Sequence, residues 1–235
     1  MYIIYGNKIN IKTSFKYFMF GLLPVGIVFF IHNIFPITSI PIDLNSYGYI
    51  ENKSNAWWLT GIVFYFLQIA FIEELAKTIS TRFIHDGTEK KITMFHAMFY
   101  SSMMACGFSY IENLIYIASG GQNIVFIRMF MPTMLHAICG SIIGYFMGLH
   151  IEDRVRNRLN GLKNSLNWIF RYLTGLVCAS ILHGTYNYSL DYATRDSSIE
   201  IFHNFYIYPI SLGILAVCSI LVFELYKKAF NSSFS

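Results

Sequence analysis

The sequence has few charged residues. Only 13% of its 235 residues are Asp, Glu, Lys or Arg, whereas a soluble domain carries about 25%. Hydrophobic residues make up 55% of the chain, and the mean hydropathy is +0.48. These values exclude an ordinary soluble domain and predict a membrane protein. The net charge of +4 suits contact with anionic lipid head groups better than binding of nucleic acid.

Several short motifs of hydrolases and metal sites are also missing. The four cysteines form no CxxC pair, which favours small buried side chains over a disulfide or a zinc knuckle. The chain has no GxSxG, HExxH or GxGD motif and no Ser/Lys dyad context. The nucleophilic-serine, zincin and aspartyl protease classes therefore lose most of their support.

What the chain does have is long apolar stretches. Each is close to the ~20 residues that a membrane-spanning helix needs. They cover residues 15–35, 56–81, 92–118, 124–150, 166–190 and 201–226. We therefore expect an all-α, polytopic membrane helix bundle of about six transmembrane helices, forming one domain over residues 1–235. Lysine and arginine are concentrated in alternate loops and in both terminal segments, which predicts that both termini are cytoplasmic.

The second apolar stretch ends in two adjacent carboxylates and a lysine, in the sequence EELAK. One charged side chain in hydrocarbon costs about 2.5–3.5 kcal/mol even on the mild insertion scale. On a helix, Glu73 and Lys77 lie one turn apart and can pair, while Glu74 points about 100° away, toward another neighbour. A helix end whose charges reach the membrane surface would explain this stretch alone equally well.

Three later stretches also carry polar groups on one helical face. These are Phe108, Glu112 and Tyr116, with Asn113 beside them, in the third stretch, His136 in the fourth, and His183 and Asn187 in the fifth. Each alone is consistent with packing or with a hydrogen-bonded core histidine. Because lipid cannot satisfy polar groups, we expect all four helices to turn these faces inward and to meet around one site. Gly140, Gly144 and Gly148 continue the stripe of His136 and predict a close helix contact.

Two chemistries fit such a cluster. Carboxylates crowded in a low dielectric share a proton, so one of them can take a proton from water, while histidines stabilise an oxyanion or protonate a leaving group. This predicts amide hydrolysis within the membrane, with no cofactor expected. Alternatively, Glu73, Glu112, His136 and His183 have the ligand types for zinc or a similar divalent ion, although no closely spaced ligand pair anchors it.

In their order along the chain, these residues resemble a known family. The EExxK motif, FxxxExxxY in FSYIENLIY, and later helices bearing His136 and His183 resemble the PrsW family of membrane-embedded proteases. That family is similar in turn to the type II CAAX prenyl proteases and the Abi (CPBP) proteins. Glu112 stands where the CAAX branch has a histidine, which favours PrsW. The resemblance covers about residues 56–190.

The resemblance implies a glutamic-type intramembrane endopeptidase of the cell membrane that cuts a membrane-anchored protein. In the PrsW case this is the first cut in an anti-sigma factor. Carried over, Glu73 and Glu74 would activate water, and Lys77 would keep one of them ionised. Glu112 would complete the acid cluster, and His136 and His183 would stabilise the oxyanion or move the proton. Asn187 would orient His183 or the substrate carbonyl, and residue types alone do not decide which glutamate is the base.

Two further functions and one geometric difficulty stay open at this point. The chain could be a non-enzymatic scaffold or immunity protein, or a proton-coupled transporter, although its halves show no inverted repeat.

The geometric difficulty is the depth of the two glutamates in the membrane, because Glu73 lies near a loop whereas Glu112 lies about 30 Å from Lys91 along its helix. The two can meet only if residues near 88–97 lie along the interface or the second helix extends past the membrane.

Overall fold

The computed structural model describes residues 9–34, 63–88, 92–118, 125–156, 161–194 and 208–232, and all of its regular structure is helical. The helices are α1 (Ile11–Met19), α2 (Leu22–Ile34), α3 (Phe71–Thr88), α4 (Met94–Ala118), α5 (Val125–Arg156), α6 (Gly161–Thr194) and α7 (Tyr208–Ser232). A π-helical segment, Val63–Ala70, leads directly into α3. The predicted all-α bundle is confirmed, and every predicted apolar stretch contains helix.

Three helical stretches of the described residues are long and apolar enough to cross a membrane: Ile11–Ile34, Met129–Arg154 and Gly161–Ser189. α3 and α4 carry the acidic and hydroxyl side chains described below, which lower their hydropathy. The chain is thus a membrane protein. The cytoplasmic placement of both termini stays a prediction.

The helix ends differ from the predicted ends where the sequence turns polar. α3 runs on to Thr88 rather than stopping at residue 81, and α5 continues to Arg156. At 1.5 Å per residue, the 32 residues of α5 extend well beyond the ~30 Å of a hydrocarbon core. Asp153 on this extension accepts hydrogen bonds from Arg171 (2.8 and 3.0 Å) and Asn167 (3.0 Å) of α6. These bonds stabilise the polar end of α5 against α6.

α5 lies at the centre of the bundle and packs most extensively against α4 and then α6. Its glycines permit the close approach to α4. A Cβ at Gly144 would lie 2.4 Å from the carbonyl oxygen of Ala97, and one at Gly140 would lie 2.6 Å from that of Ser101. The predicted close helix contact is confirmed, and its partner is α4. This contact fixes the faces of α4 and α5 that carry Glu112 and His136.

Candidate active site

The first two members of the site lie at the start of α3, directly after the π-helical segment. Glu74 is fully buried, and Lys77, which is 2% exposed, donates a 2.8 Å hydrogen bond from Nζ to Glu74 Oε1. Glu73 Oε2 lies farther from the same ammonium, at 3.8 Å. The sequence predicted the pairing of Lys77 with Glu73, whereas the shorter contact is with Glu74. Both carboxylates therefore share one buried cation.

His183 of α6 meets both carboxylates. Its Nδ1 lies 2.8 Å from Glu74 Oε1, and its Nε2 lies 3.9 Å from Glu73 Oε2. A carboxylate that is ion-paired with Lys77 only accepts hydrogen bonds, so Nδ1 of His183 carries the hydrogen. The Nε2 atom then presents its lone pair toward Glu73. A carboxylate that fixes the tautomer and orientation of an imidazole in this way is typical of the surroundings of metal-binding histidines.

His136 of α5 connects Lys77 to Glu112 of α4. Its Nδ1 lies 2.7 Å from Lys77 Nζ, and its Nε2 lies 2.9 Å from Glu112 Oε2. Because an ammonium only donates, Nδ1 accepts from Lys77 and the Nε2 hydrogen goes to Glu112. Glu112 is 34% exposed, whereas His136 is 2% exposed. The chain of contacts from Glu74 to Glu112 thus runs from a fully buried carboxylate to one that is partly exposed at the surface of the bundle.

Aromatic contacts pack this polar cluster from one side. The Nζ atom of Lys77 lies 4.1 Å from the centre of the Phe108 ring, a cation–π geometry. The Phe108 ring also meets the edge of His136, with centroids 5.4 Å apart, and the rings of His136 and His183 stand at 89° with centroids 4.8 Å apart. Phe108 therefore covers the lysine and the histidine with an apolar wall.

The other predicted supporting residues lie around the cluster and not within it. Asn113 is buried and donates through Nδ2 to Thr133 Oγ1 at 3.3 Å, and Thr133 also bonds Ser109 at 3.0 Å. Tyr116 is exposed near the end of α4. Asn187 is half-buried on α6 and, within the described part of the chain, makes no hydrogen bond to His183.

Thr133 and Ser109 were missed by sequence reasoning. A signal for both existed, because Thr133 lies three residues before His136, and Ser109 three before Glu112, on the same helical faces.

α3 is longer than the sequence predicted. It ends at Thr88 and not at residue 81, so Glu73 lies about 22 Å from the end of the helix. Glu73 and Glu74 meet His183, and Lys77 meets His136, which contacts Glu112, so the groups of α3 and Glu112 do share one cluster. The position of this cluster relative to the membrane stays a prediction.

A metal ion fits part of the cluster. Glu73, His136 and His183 each offer a ligand atom, and the three atoms lie within 4.8 Å of one another. The ligands of one tetrahedral zinc ion lie about 3.4 Å apart, so small side-chain rotations would suffice. Glu73 Oε2 is buried and has no hydrogen bond, and such an atom calls for a partner. The residues fit a divalent ion, provided that His136 releases one of its two hydrogen bonds.

A membrane helix bundle that buries carboxylates and imidazoles together belongs to the class of membrane proteins with a polar site enclosed between helices. The sequence model of one family, described as PrsW family intramembrane metalloprotease, matches residues 11–215. The chain belongs to the PrsW family.

Similar curated proteins carry the corresponding name. The chain is 30% identical over 125 residues to Protease PrsW of Oceanobacillus iheyensis, covering 53% of each protein. It is 30% identical over 91 residues to Protease PrsW of Bacillus subtilis, covering 39% of this chain and 37% of that protein. The match to Protease PrsW of Geobacillus kaustophilus has 25% identity over 133 residues and covers 57% and 52% of the two chains. The chain therefore spans about half the length of these relatives or less. No solved structure matches it.

Proposed function

We propose that this chain is an intramembrane endopeptidase that hydrolyses a peptide bond in a membrane-anchored protein. Membership of the PrsW family supports the reaction class, and the description of that family as intramembrane metalloproteases favours the metal-dependent form over the metal-free one. The observation that carries the proposal is the buried Oε2 of Glu73, which has no hydrogen bond and faces His183 Nε2 at 3.9 Å. A cell-membrane substrate of the anti-sigma-factor type is the one that the family resemblance implies.

We assign Glu73, His136 and His183 to the binding of a divalent ion such as zinc. When bound, the ion would supply Lewis-acid polarisation of the scissile carbonyl and acidify water. Glu74 positions these groups and does not react, since its Oε1 is held by Lys77 and His183 at 2.8 Å each. Lys77 compensates the negative charge of the two adjacent glutamates.

Glu112 is the proposed proton acceptor for the attacking water. It is the most exposed carboxylate of the cluster, at 34%, and His136 Nε2 lies 2.9 Å from its Oε2. A proton gained by Glu112 can pass to the leaving amine from the same carboxyl group, as general acid–base catalysis requires. Phe108 and the surrounding helices exclude bulk water from the inner end of the cluster.

The test is co-expression with candidate single-span substrates. Wild-type protein should release a fragment, and Glu73→Gln and His183→Ala should release none while still inserting into the membrane. His150→Gln is the matched control, because His150 is buried on α5 and bonds Asn167 at 2.9 Å, away from the site. Full cleavage by the Glu73 and His183 variants would refute the proposal.

A metal-free glutamic mechanism is the second candidate. It is favoured by Lys77, whose ammonium already supplies a cation between Glu74 and His136. In that form Glu73 would take the proton from water, and His183 would stabilise the oxyanion. Activity that survives complete removal of bound metal from purified protein would select this candidate over the first.

A further inference from the structure

The π-helical segment Val63–Ala70 packs directly on α6 beside the candidate site. Its Phe66 lies against Gly184, a buried residue of α6. A Cβ at Gly184 would lie 2.7 Å from Cγ and 2.8 Å from Cδ1 of the Phe66 ring, and 3.1 Å from Phe66 Cα. Any larger residue at this position would therefore displace the ring and the backbone of the segment. Glycine permits the two helices to approach closely, as small residues do between membrane helices.

This contact adjoins the two groups that we assign to the binding of an ion. Gly184 directly follows His183 in α6, and Glu73 is the third residue of α3, which begins where the π-helical segment ends. His183 Nε2 and Glu73 Oε2 lie 3.9 Å apart, which is too far for a hydrogen bond. Glu74 holds the Nδ1 side of the ring. The separation on the Nε2 side therefore depends on how closely the π-helical segment approaches α6.

Further contacts hold the π-helical segment in place. The rings of Tyr65 and Tyr188 meet edge to face, with centroids 6.1 Å apart, and Tyr188 lies one turn after Gly184 on α6. On another side, Nε2 of His32 on α2 lies 3.4 Å from the carbonyl oxygen of Gln68. Because a π-helix has i→i+5 hydrogen bonds, the segment also sets the rotational phase at which α3 begins. A segment that α2 and α6 both hold thus fixes the direction in which the first residues of α3 point.

We propose that Phe66 and Gly184 are positioning residues, whose contact sets the distance and angle between Glu73 and Nε2 of His183. The catalytic meaning of this contact rests on the proposed peptidase function, because only a reaction at Glu73 is slowed when that residue is misplaced. A displacement of about 1 Å can lower a rate by about 100-fold. A contact of purely structural importance would change stability and leave the surroundings of His183 as they are.

Gly184→Ala tests the proposal in the whole chain. The added methyl group should displace the π-helical segment and lower kcat for cleavage of a single-span substrate by about 100-fold, with little change in KM. Gly175→Ala is the matched control on the same helix, because a Cβ there would lie 3.1 Å from Phe146 Cβ on α5. It strains a helix contact about 14 Å from Gly184 along α6 and should leave kcat unchanged.

Phe66→Ala provides the rescue. Alone, it removes the ring that holds the segment against α6 and should lower kcat. Combined with Gly184→Ala, it removes the two ring atoms that the new methyl group would meet, so the double variant should recover most of the lost kcat. Such non-additivity is expected of residues in direct contact and not of two independent losses of stability.

NMR of protein with nitrogen-labelled histidine gives a readout that needs neither cleavage nor bound metal. The Nδ1–H signal of His183 is identified by its absence in His183→Ala. This signal should shift in Gly184→Ala, return toward its wild-type position in the double variant and stay in place in Gly175→Ala.

An unchanged His183 signal in Gly184→Ala would overturn the proposal, as would full kcat despite a shifted signal or an equal shift in Gly175→Ala. If Gly184→Ala does not fold, an unchanged signal in Phe66→Ala would overturn it in the same way. Wild-type protein that cleaves no substrate would refute the proposed function, while the NMR comparison would still decide whether the contact positions His183.

Discussion

Glu74 and His183 lie 109 residues apart in the chain, and their side chains form a buried 2.8 Å hydrogen bond. This bond joins α3 to α6 and leaves the second ring nitrogen of His183 directed at Glu73. The two adjacent glutamates thereby acquire different surroundings. Each glutamate has a buried Oε2 without a hydrogen bond, but Oε1 of Glu74 is held by two donors at 2.8 Å, whereas Glu73 makes only the longer contacts of 3.8 Å to Lys77 and 3.9 Å to His183. The division of labour that we propose follows from this difference.

The first prediction concerns the stability of the two glutamate variants. Glu74→Gln should destabilise the protein by about 3–5 kcal/mol, because it leaves the buried ammonium of Lys77 poorly compensated. Glu73→Gln should cost much less, since Glu73 Oε2 makes no hydrogen bond and its ion pair with Lys77 is longer, at 3.8 Å. Thermal unfolding in detergent measures both. Equal destabilisation by the two variants would contradict the assignment of Glu74 as the positioning residue.

The second prediction separates the chemical role of Glu112 from its structural one. Glu112→Gln keeps an acceptor oxygen for the Nε2 hydrogen of His136, so the fold should be retained. Loss of a general base lowers the rate by about 10²–10⁴-fold, and the cleavage rate should fall within that range. Single-turnover cleavage of a co-purified substrate measures the loss. A variant with near wild-type rates would exclude Glu112 as the proton acceptor.

The third prediction concerns the metal. Purified protein should contain close to one equivalent of a divalent ion, and chelation should remove the ion and the activity together. Glu73→Gln and His183→Ala should lower the affinity for the ion by about 10–100-fold or more, because each removes a proposed ligand. Elemental analysis checks this independently of cleavage. His150→Gln should retain the ion, and its loss there would show that the assay reports only unfolding.

The fourth prediction concerns the contact between α4 and α5. Gly144→Ala should destabilise the protein by about 1–3 kcal/mol, because the added methyl group would lie 2.4 Å from Ala97 O and force the helices apart. Since this contact aligns Glu112 with His136, activity should fall as well. Gly213→Ala is the matched control, as a Cβ there has no atom within 4 Å. Comparable unfolding temperatures for the two variants would argue against the tight helix crossing.

Much of the architecture follows from the sequence because membranes impose a simple rule. Backbone polar groups in hydrocarbon must be satisfied within each segment, so long apolar stretches become helices. Since lipid also leaves polar side chains unsatisfied, the same reasoning predicts from the sequence that Glu112, His136 and His183 face the interior of the bundle. The helix ends were less predictable, since α3 and α5 continue through polar residues, and on α5 the side chain of Asp153 is bonded by Asn167 and Arg171 of α6.

The sequence by itself determined the helical class, the polar residues of the candidate site and the close glycine-mediated helix contact. Only the tertiary structure decided which groups pair. Lys77 can reach either glutamate from its own helix, and it forms its shorter contact with Glu74, whose Oε1 also bonds His183. Helical periodicity gives the angle between Glu73 and Glu74, but the packing of neighbouring helices sets how α3 is rotated. That rotation, and not any local preference, leaves Glu73 as the carboxylate open to a ligand.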